Sequence, residues 1–213
     1  MRPILVTGFT PFAGLADNPS AIVVDHLSRV GVPGVAVETR LVDVLWESAG
    51  AEVVAAMEAV RPAAVVCFGL ARGRDAINLE RFAVNVDDSP TADNAGRHRR
   101  GTPIAADGPD AYRTTLPIAS IERALAAVDL PVRASNHAGA FLCNHVFYAV
   151  RHRLERAGRG IPAGFVHLPP LPPETGALAA EAQCRAAGII VATLAAGLAA
   201  GEGAADGVDR LAG

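Results

Sequence analysis

The chain has 213 residues, is 51% hydrophobic and carries a formal net charge of −3. That length and apolar content suit a single domain with a sizeable core. The slightly negative charge does not favour nucleic acid or an anionic membrane as a partner. Three cysteines are too few for a disulfide framework, so we expect a reducing, cytoplasmic compartment. The six histidines form no H-E-x-x-H motif and the chain has no C-x-x-C, so we expect no metal site.

Apolar runs, helical spacing and turn-forming residues predict alternating strands and helices along the chain. Asn18 as N-cap and Pro19 in the first turn mark the start of the first helix. The predicted elements, in chain order, are strand 3–9, helix 18–30, strand 35–44, helix 47–60, strand 63–70, strand 77–88, helix 116–128, strand 130–135, helix 140–157, strand 164–169 and a long Ala-rich C-terminal helix.

This order indicates an α/β fold in which helices cover a mainly parallel sheet, with residues 1–213 forming one domain. Residues 89–110 are polar and rich in turn formers. A loop of that length is usually a lid, a binding loop or disordered. Residues 186–201 are apolar for 16 positions, short of the roughly 20 that span a bilayer, so we expect a packed helix.

The segment "GFTPFAG", residues 8–14, follows the first strand and holds Phe9 and Phe12. In an open α/β sheet, ligands bind beyond the carboxyl ends of the strands. The segment matches neither a Walker A loop nor G-x-G-x-x-G. Two rings beside glycine backbone suit a small, flat, uncharged ligand, although the rings could instead fill the core.

Cys143 follows the turn "SNHAGA" near the start of a predicted helix. The positive end of a helix dipole and free backbone N–H groups stabilise a thiolate, which is the nucleophilic form. The alternative is a small buried side chain. Cys67 lies inside an apolar strand and Cys184 lies within a helix, so a structural role suits both.

A thiol nucleophile needs a base, and His167 lies near the end of a predicted strand beside a Pro-rich turn. His145 is closer to Cys143 in sequence. Two residues along a helix, however, it points about 200° away and cannot readily pair with the thiol.

A third group must orient the base, and the carboxylate of Glu80 is a candidate. The alternative is a surface charge. Asp87 and Asp88 compete for the same role, although they look more like turn and loop-anchoring residues.

Four ordered blocks give the sequence a family resemblance. They are "VTGFTPFAG" with "NPS", "LERFAVNVDD" followed by "DN", "SNHAGAFLCNHVFYA", and "GFVHLPPLP". Together these blocks resemble pyroglutamyl peptidase type I, a family of cysteine peptidases, nearly from end to end of the chain.

The resemblance implies a twisted, mostly parallel mixed sheet between helices, similar to phosphorylase and hydrolase folds, and assembly as a homotetramer. It also implies that the protein removes an N-terminal pyroglutamyl residue from small peptides through a thioester, without a metal or cofactor. Cys143 would be the nucleophile, His167 the base and Glu80 the group that orients it. The thiol proton would pass to His167 during reaction, or the two would form an ion pair beforehand.

Pyroglutamate is a flat, uncharged lactam. The residues implied to bind it include the two rings of the segment 8–14 and others from distant parts of the chain. Phe9 and Phe12 would lie on either side of the lactam ring. By resemblance, the other substrate-binding residues are Leu70, Thr91, Phe141 and Leu142.

The chain departs from the family pattern around the expected site. Pro90 stands where the family usually has an Arg, Thr91 stands where it has an aliphatic residue, and Leu70 stands where it tends to have Gln. Leu70 can replace a Gln that acts through its backbone. Proline supplies neither the charge of the Arg nor an N–H.

Three places could supply the missing positive charge, namely Arg72, Arg74 and the run "RHRR" at 97–100, which we expect to be a solvated loop. Two other functions remain open at this point. The chain could be a transferase of the nucleoside-phosphorylase type, or a catalytically weak protein that binds pyroglutamyl peptides because Pro90 replaces the Arg.

Overall fold

The structure, a computed structural model, describes residues 2–201. Its strands are β1 (Ile4–Phe9), β2 (Val37–Val42), β3 (Ala64–Leu70), β4 (Ile77–Glu80), β5 (Phe82–Val84), β6 (Ala111–Arg113), β7 (Val132–Ser135) and β8 (Ala163–Leu168). Its helices are α1 (Pro19–Val30), α2 (Ala49–Val60), α3 (Ile118–Ala126), α4 (Leu142–Arg156) and α5 (Ala180–Ala199).

Six strands form one sheet in the order β2-β1-β3-β8-β4-β7. The first four in that order are mutually parallel, β4 runs antiparallel to β8, and β7 is parallel to β4. The predicted α/β fold with a mostly parallel mixed sheet is therefore confirmed.

Each face of the sheet carries its own apolar core. On one face α1, α3 and α5 contribute buried side chains such as Leu27, Ile121 and Ile190. On the other face α2 and α4 contribute Met57 and Val146. The second face carries the candidate site, because Cys143 packs against its core.

The predicted start of α1 is confirmed. The Asn18 side chain accepts a hydrogen bond from the Ser20 backbone N–H at 3.0 Å, and Pro19 opens the helix. α5 has a mean hydropathy of 1.5 over an 18-residue window, enough by length and composition for a membrane span. One of its faces, including Ala187, Ile190 and Val191, is nevertheless buried in the core, as in the core helix of a globular domain.

The prediction of one strand over 77–88 was wrong. The chain leaves the main sheet after Glu80, and β5 pairs with β6 in a separate two-stranded sheet. Residues 77–80 are fully buried, whereas the sequence suggested a half-buried strand. Apolar alternation continues through both segments, so the pattern alone could not show that the partner strand changes.

The polar loop joins β5 to β6 and is tied down at its base. Asp87 and Thr102 exchange two backbone hydrogen bonds of 2.8 and 3.0 Å. Inside the loop, the Asp93 carboxylate accepts hydrogen bonds from the backbone N–H groups of Trp46, Ala95 and Arg97. The loop is therefore held against the segment between β2 and α2.

Candidate active site

Cys143 is the second residue of α4, and the local chain leaves the helix start open. The N-cap residue, Phe141, is extended and makes no side-chain capping bond. The first backbone N–H groups of a helix have no intrahelical acceptor. Cys143 is half-buried, and its thiol therefore lies beside a set of N–H groups that no side chain caps.

The thiol lies over the carboxyl end of β3, the strand that neighbours the one carrying His167. A Cβ atom placed on Gly69 would be only 2.8 Å from Cys143 Sγ. Gly69 and His167 are paired in the parallel register of β3 and β8. Sulfur and imidazole thus lie on the same face of neighbouring strands, although no hydrogen bond joins the two side chains among residues 2–201.

His167 is buried and pairs with Glu80. Nδ1 of the imidazole lies 2.7 Å from Oε1 of Glu80. Because a carboxylate only accepts, this contact places the proton of the neutral ring on Nδ1 and leaves the Nε2 lone pair free. Glu80 is 0% exposed, so it is not a surface charge.

The two other acidic candidates lie elsewhere. Asp87 contacts the ring of His145 at 2.9 Å and the guanidinium of Arg99 at 2.6 Å. Asp88 pairs with Arg100 on the surface. Neither carboxylate contacts His167, and the contact between His145 and Asp87 directs that ring to the loop rather than to the thiol.

The resting site favours a neutral thiol beside a neutral imidazole. Burial raises the pKa of Cys143 to about 12, and the negative charge of Glu80 adds to this, against smaller lowering by a backbone N–H and by Arg74. Burial also lowers the pKa of His167, although its hydrogen bond to Glu80 opposes that shift. Of the two expected possibilities, burial therefore favours transfer of the thiol proton during the reaction over an ion pair formed beforehand.

The aromatic rings are arranged differently from the expected pairing of Phe9 with Phe12. Phe9 is only 4% exposed and packs against Phe165, with ring centroids 6.5 Å apart. Phe12 instead lies 6.1 Å from Phe141, whose ring meets Trp46 edge-on at 5.1 Å. The accessible pair is Phe12 and Phe141, while Phe9 lies in the core behind the site.

The remaining expected substrate-binding residues differ in exposure. Leu70 ends β3 and is 9% exposed, while Leu142 opens α4 and is 1% exposed. Thr91 is exposed in the loop, where its N–H donates to Ser89 Oγ at 3.1 Å. Pro90, beside it, is also exposed.

Sequence reasoning missed several residues that hold the site together. Asn144 is fully buried and makes three hydrogen bonds to the backbone of Val84 and Val86, which fixes α4 to β5. Trp46 packs against Phe141. Gly69 provides the space that the thiol occupies. Of these three, only Asn144, a polar residue near the start of a helix that is otherwise apolar as far as Val150 apart from His145, left a signal in the sequence.

The expectation that residues 97–100 form a solvated run was wrong for Arg99. Its guanidinium pairs with the buried Asp87, donates to the Trp46 carbonyl at 3.2 Å and lies 5.3 Å from the Trp46 ring centroid. A guanidinium can form an ion pair and stack on an aromatic face at the same time. The residues next to Arg99 in sequence do not reveal either contact.

No group of three or more His, Cys, Asp or Glu side chains within the described part of the chain is arranged to hold a metal ion. The site combines a thiol, an imidazole and a carboxylate in chain order Glu, Cys, His. That set can carry out acyl transfer by nucleophilic attack.

Comparison with known proteins agrees with this site. The family model described as pyroglutamyl peptidase matches residues 2–205. The chain belongs to the pyroglutamyl peptidase family. The match covers all four sequence blocks and every candidate residue, and it does not favour a phosphorylase-type transferase.

Curated relatives and solved structures give the same assignment. The pyrrolidone-carboxylate peptidase of Bacillus licheniformis is 40% identical over 82% of this chain and 81% of its own length. That of Vibrio vulnificus is 42% identical over 83% of this chain and 82% of its own length.

Two solved structures agree with the fold. Pyroglutamyl peptidase I of Bacillus amyloliquefaciens has a TM-score of 0.86 at 33% identity, covering 92% of this chain and 98% of that one. The pyrrolidone carboxyl peptidase of Thermococcus litoralis has a TM-score of 0.90 at 30% identity, covering 94% and 96%.

Proposed function

We propose that this protein is a cysteine exopeptidase that removes an N-terminal pyroglutamyl residue from peptides, with Cys143, His167 and Glu80 as its triad. Membership of the pyroglutamyl peptidase family supports the reaction class, hydrolysis of the bond after pyroglutamate. The observation that supports the residue roles is the 2.7 Å contact between His167 Nδ1 and Glu80 Oε1, next to a thiol at the open start of α4.

The reaction begins with a neutral thiol. His167 Nε2 removes the proton of Cys143 as the sulfur attacks the carbonyl carbon that joins pyroglutamate to the next residue. A new C–S bond forms and the carbonyl oxygen becomes an oxyanion. Glu80 accepts the Nδ1–H throughout, which keeps the ring oriented and stabilises the imidazolium.

The oxyanion rests on backbone N–H groups in the first turn of α4. These donors already exist before substrate binds, so little reorganisation is needed as charge develops. Collapse of the intermediate breaks the C–N bond, and the imidazolium protonates the leaving amine. Water then hydrolyses the thioester, which releases pyroglutamate and restores the thiol.

The lactam binds in a pocket with apolar walls. Phe12 and Phe141 supply the accessible rings, Leu142 and Phe9 close the apolar side behind them, and Leu70 contributes at the end of β3. A free N-terminal ammonium would lose its hydration in such a pocket, at a cost of several kcal/mol. The pocket therefore selects the lactam over a glutamyl residue.

The loop closes the remaining side of this pocket. Thr91 contributes a hydroxyl group where the family has an aliphatic side chain, and Pro90 contributes no charge. Because a fixed positive charge is absent at position 90, we expect the substrate to be held mainly by apolar and backbone contacts. The preference for the residue after pyroglutamate should then be broad.

A single assay tests this function. Wild-type protein should cleave a pyroglutamyl chromogenic amide and leave the matching glutamyl and prolyl amides intact, and iodoacetamide should abolish turnover. Cys143→Ala should lose all measurable activity while its far-UV circular dichroism spectrum is unchanged. Cys184→Ala is the matched control, because Cys184 lies in α5 on the opposite face of the sheet.

Two outcomes would contradict the proposal. Activity retained in Cys143→Ala would show that Cys143 is not the nucleophile. Cleavage of the prolyl amide at a comparable rate would show that the pocket does not recognise the lactam. Tight binding of a pyroglutamyl peptide without turnover by the wild-type protein would instead identify a binding protein.

Assembly and location complete the proposal. The resemblance favours a homotetramer, which multi-angle light scattering would measure directly. The three free cysteines among the described residues suit a reducing, cytoplasmic compartment.

A further inference from the structure

The side chain of Arg74 contacts the proposed triad from the loop between β3 and β4. Its Nη1 donates to Glu80 Oε1 at 2.8 Å and lies 3.1 Å from Ser135 Oγ. Its Nη2 donates to the backbone carbonyl of His137 at 3.3 Å. The guanidinium is therefore held by three groups from two segments, the end of β4 and the stretch from Ser135 to His137.

Glu80 depends on this cation. The carboxylate is 0% exposed, and both of its contacts, from His167 and from Arg74, are made by Oε1. Oε2 has no hydrogen-bond partner among residues 2–201. Without Arg74, the imidazole would be the single donor left to this buried carboxylate, and no other hydrogen bond would fix the position of Oε1.

We propose that Arg74 is a positioning residue that fixes the Glu80 carboxylate so that Oε1 accepts from His167. This inference rests on the proposed function, because it concerns the same triad. Arg74 does not contact the reacting atoms and acts through Glu80. An arginine suits this place because it stays protonated and offers donors in a planar fork.

Of the cations that the sequence suggested, Arg74 is the one whose contacts reach the triad. Arg72 pairs with Glu174 on the surface at 3.2 Å. Arg99 pairs with Asp87 in the loop network. Neither of these two arginines pairs with a triad residue, whereas Arg74 pairs with the buried carboxylate of Glu80.

The charged and titratable groups facing His167 give the direction of the pH effect. They are Glu80 on β4, Arg74 on the preceding loop and His137 on the segment before α4. The Cys143 thiol on α4 lies over Gly69, which pairs with His167. The positive charge of Arg74 lowers the pKa of both His167 and Cys143. Without that charge, the pKa of His167 should rise, because a neighbouring positive charge no longer disfavours the imidazolium.

The test compares Arg74→Ala, Arg74→Lys and the control Arg72→Ala, which removes an exposed cation from the same loop. For Arg74→Ala we expect kcat to fall by about 10- to 100-fold with KM within about threefold of wild type. The acid limb of the kcat/KM profile should move to higher pH by about 1 unit, because the imidazole loses a neighbouring positive charge. Arg74→Lys should recover part of both effects.

A double variant separates positioning from folding. In Glu80→Gln protein the carboxylate is already gone, so adding Arg74→Ala should change kcat by less than about threefold. The inference would be overturned by a pH profile of Arg74→Ala that superimposes on wild type, or by fully additive losses in the double variant. Failure of the function itself would look different, because wild-type protein would then not cleave the pyroglutamyl amide.

Discussion

Replacing Gly69 by alanine should displace the nucleophile without changing its chemistry. The added Cβ would lie 2.8 Å from Cys143 Sγ and 2.8 Å from Phe165 Cζ. Since ordinary van der Waals contact starts near 3.5 Å, the sulfur must retreat by about 0.7 Å or more. Gly69 has no positive φ, so the alanine backbone itself is unstrained.

The displacement determines the size of the effect. A misplacement of about 1 Å at a reacting centre can cost about 100-fold in rate, so we expect kcat/KM to fall between about 10- and 100-fold. The same Cβ crowds the Phe165 ring, and overpacking of this kind typically costs about 1–3 kcal/mol of stability. Activity must therefore be measured well below the unfolding midpoint.

The assay is hydrolysis of a pyroglutamyl amide under conditions where urea unfolding shows that the variant is fully folded. Gly160→Ala is the matched control, because a Cβ at Gly160 meets no atom within 4 Å and its φ is not positive. If Gly69→Ala kept kcat/KM within about threefold of wild type, the position of the sulfur over β3 would not matter for the reaction.

Two further changes test the loop that borders the site. Asp93→Asn should destabilise the fold by about 1.5–3 kcal/mol at pH 7, because a charged acceptor of three backbone N–H groups is lost. Burial alone would raise the pKa of Asp93, but those donors and Arg99 lower it, so urea denaturation should show the deficit shrinking as the pH falls through this lowered pKa. Asp87→Asn should cost about 3–5 kcal/mol and increase proteolytic cleavage within the loop, since Arg99 loses its buried partner. Asp88→Asn should do neither, because its pair with Arg100 is exposed; equal sensitivity of the two variants would refute the assigned anchor.

The sequence was sufficient for the parts of the fold that local physics decides. Asn18 and Pro19 mark the start of α1 because capping and a fixed φ act within one turn. Buried strands such as β3 are recognisable as continuous apolar runs. The roles suggested for Cys143 and His167 came from their places next to predicted element ends, and the structure puts the Cys143 sulfur over β3, the neighbour of the strand that carries His167.

Other features depend on partners distant in sequence. Nothing in "INLERFAVNVDD" shows that the chain leaves the sheet after Glu80, because both halves keep an apolar alternation. Arg99 looks solvated within "RHRR" until its contacts with Asp87 and Trp46 are known. The Phe9 ring points into the core, where it packs against Phe165, a residue distant in sequence.

Strand order explains why Arg74 contacts Glu80 at the place where Glu80 contacts His167. In the sheet, β8 lies between β3 and β4, so the loop joining β3 to β4 has to cross the end of β8. β4 then returns antiparallel to β8, which places Asn78 opposite His167 and leaves Glu80 within reach of the imidazole from the same face.

The crossing loop carries Arg74 over that same end of β8, from where its side chain reaches Glu80 and the carboxyl end of β7. A parallel β4 would begin at the far edge of the sheet, and a loop of six residues could not then deliver both the carboxylate and the cation to one imidazole. The one antiparallel pairing in the main sheet of the described chain is therefore the feature that allows a short stretch of sequence to build the acidic side of the site.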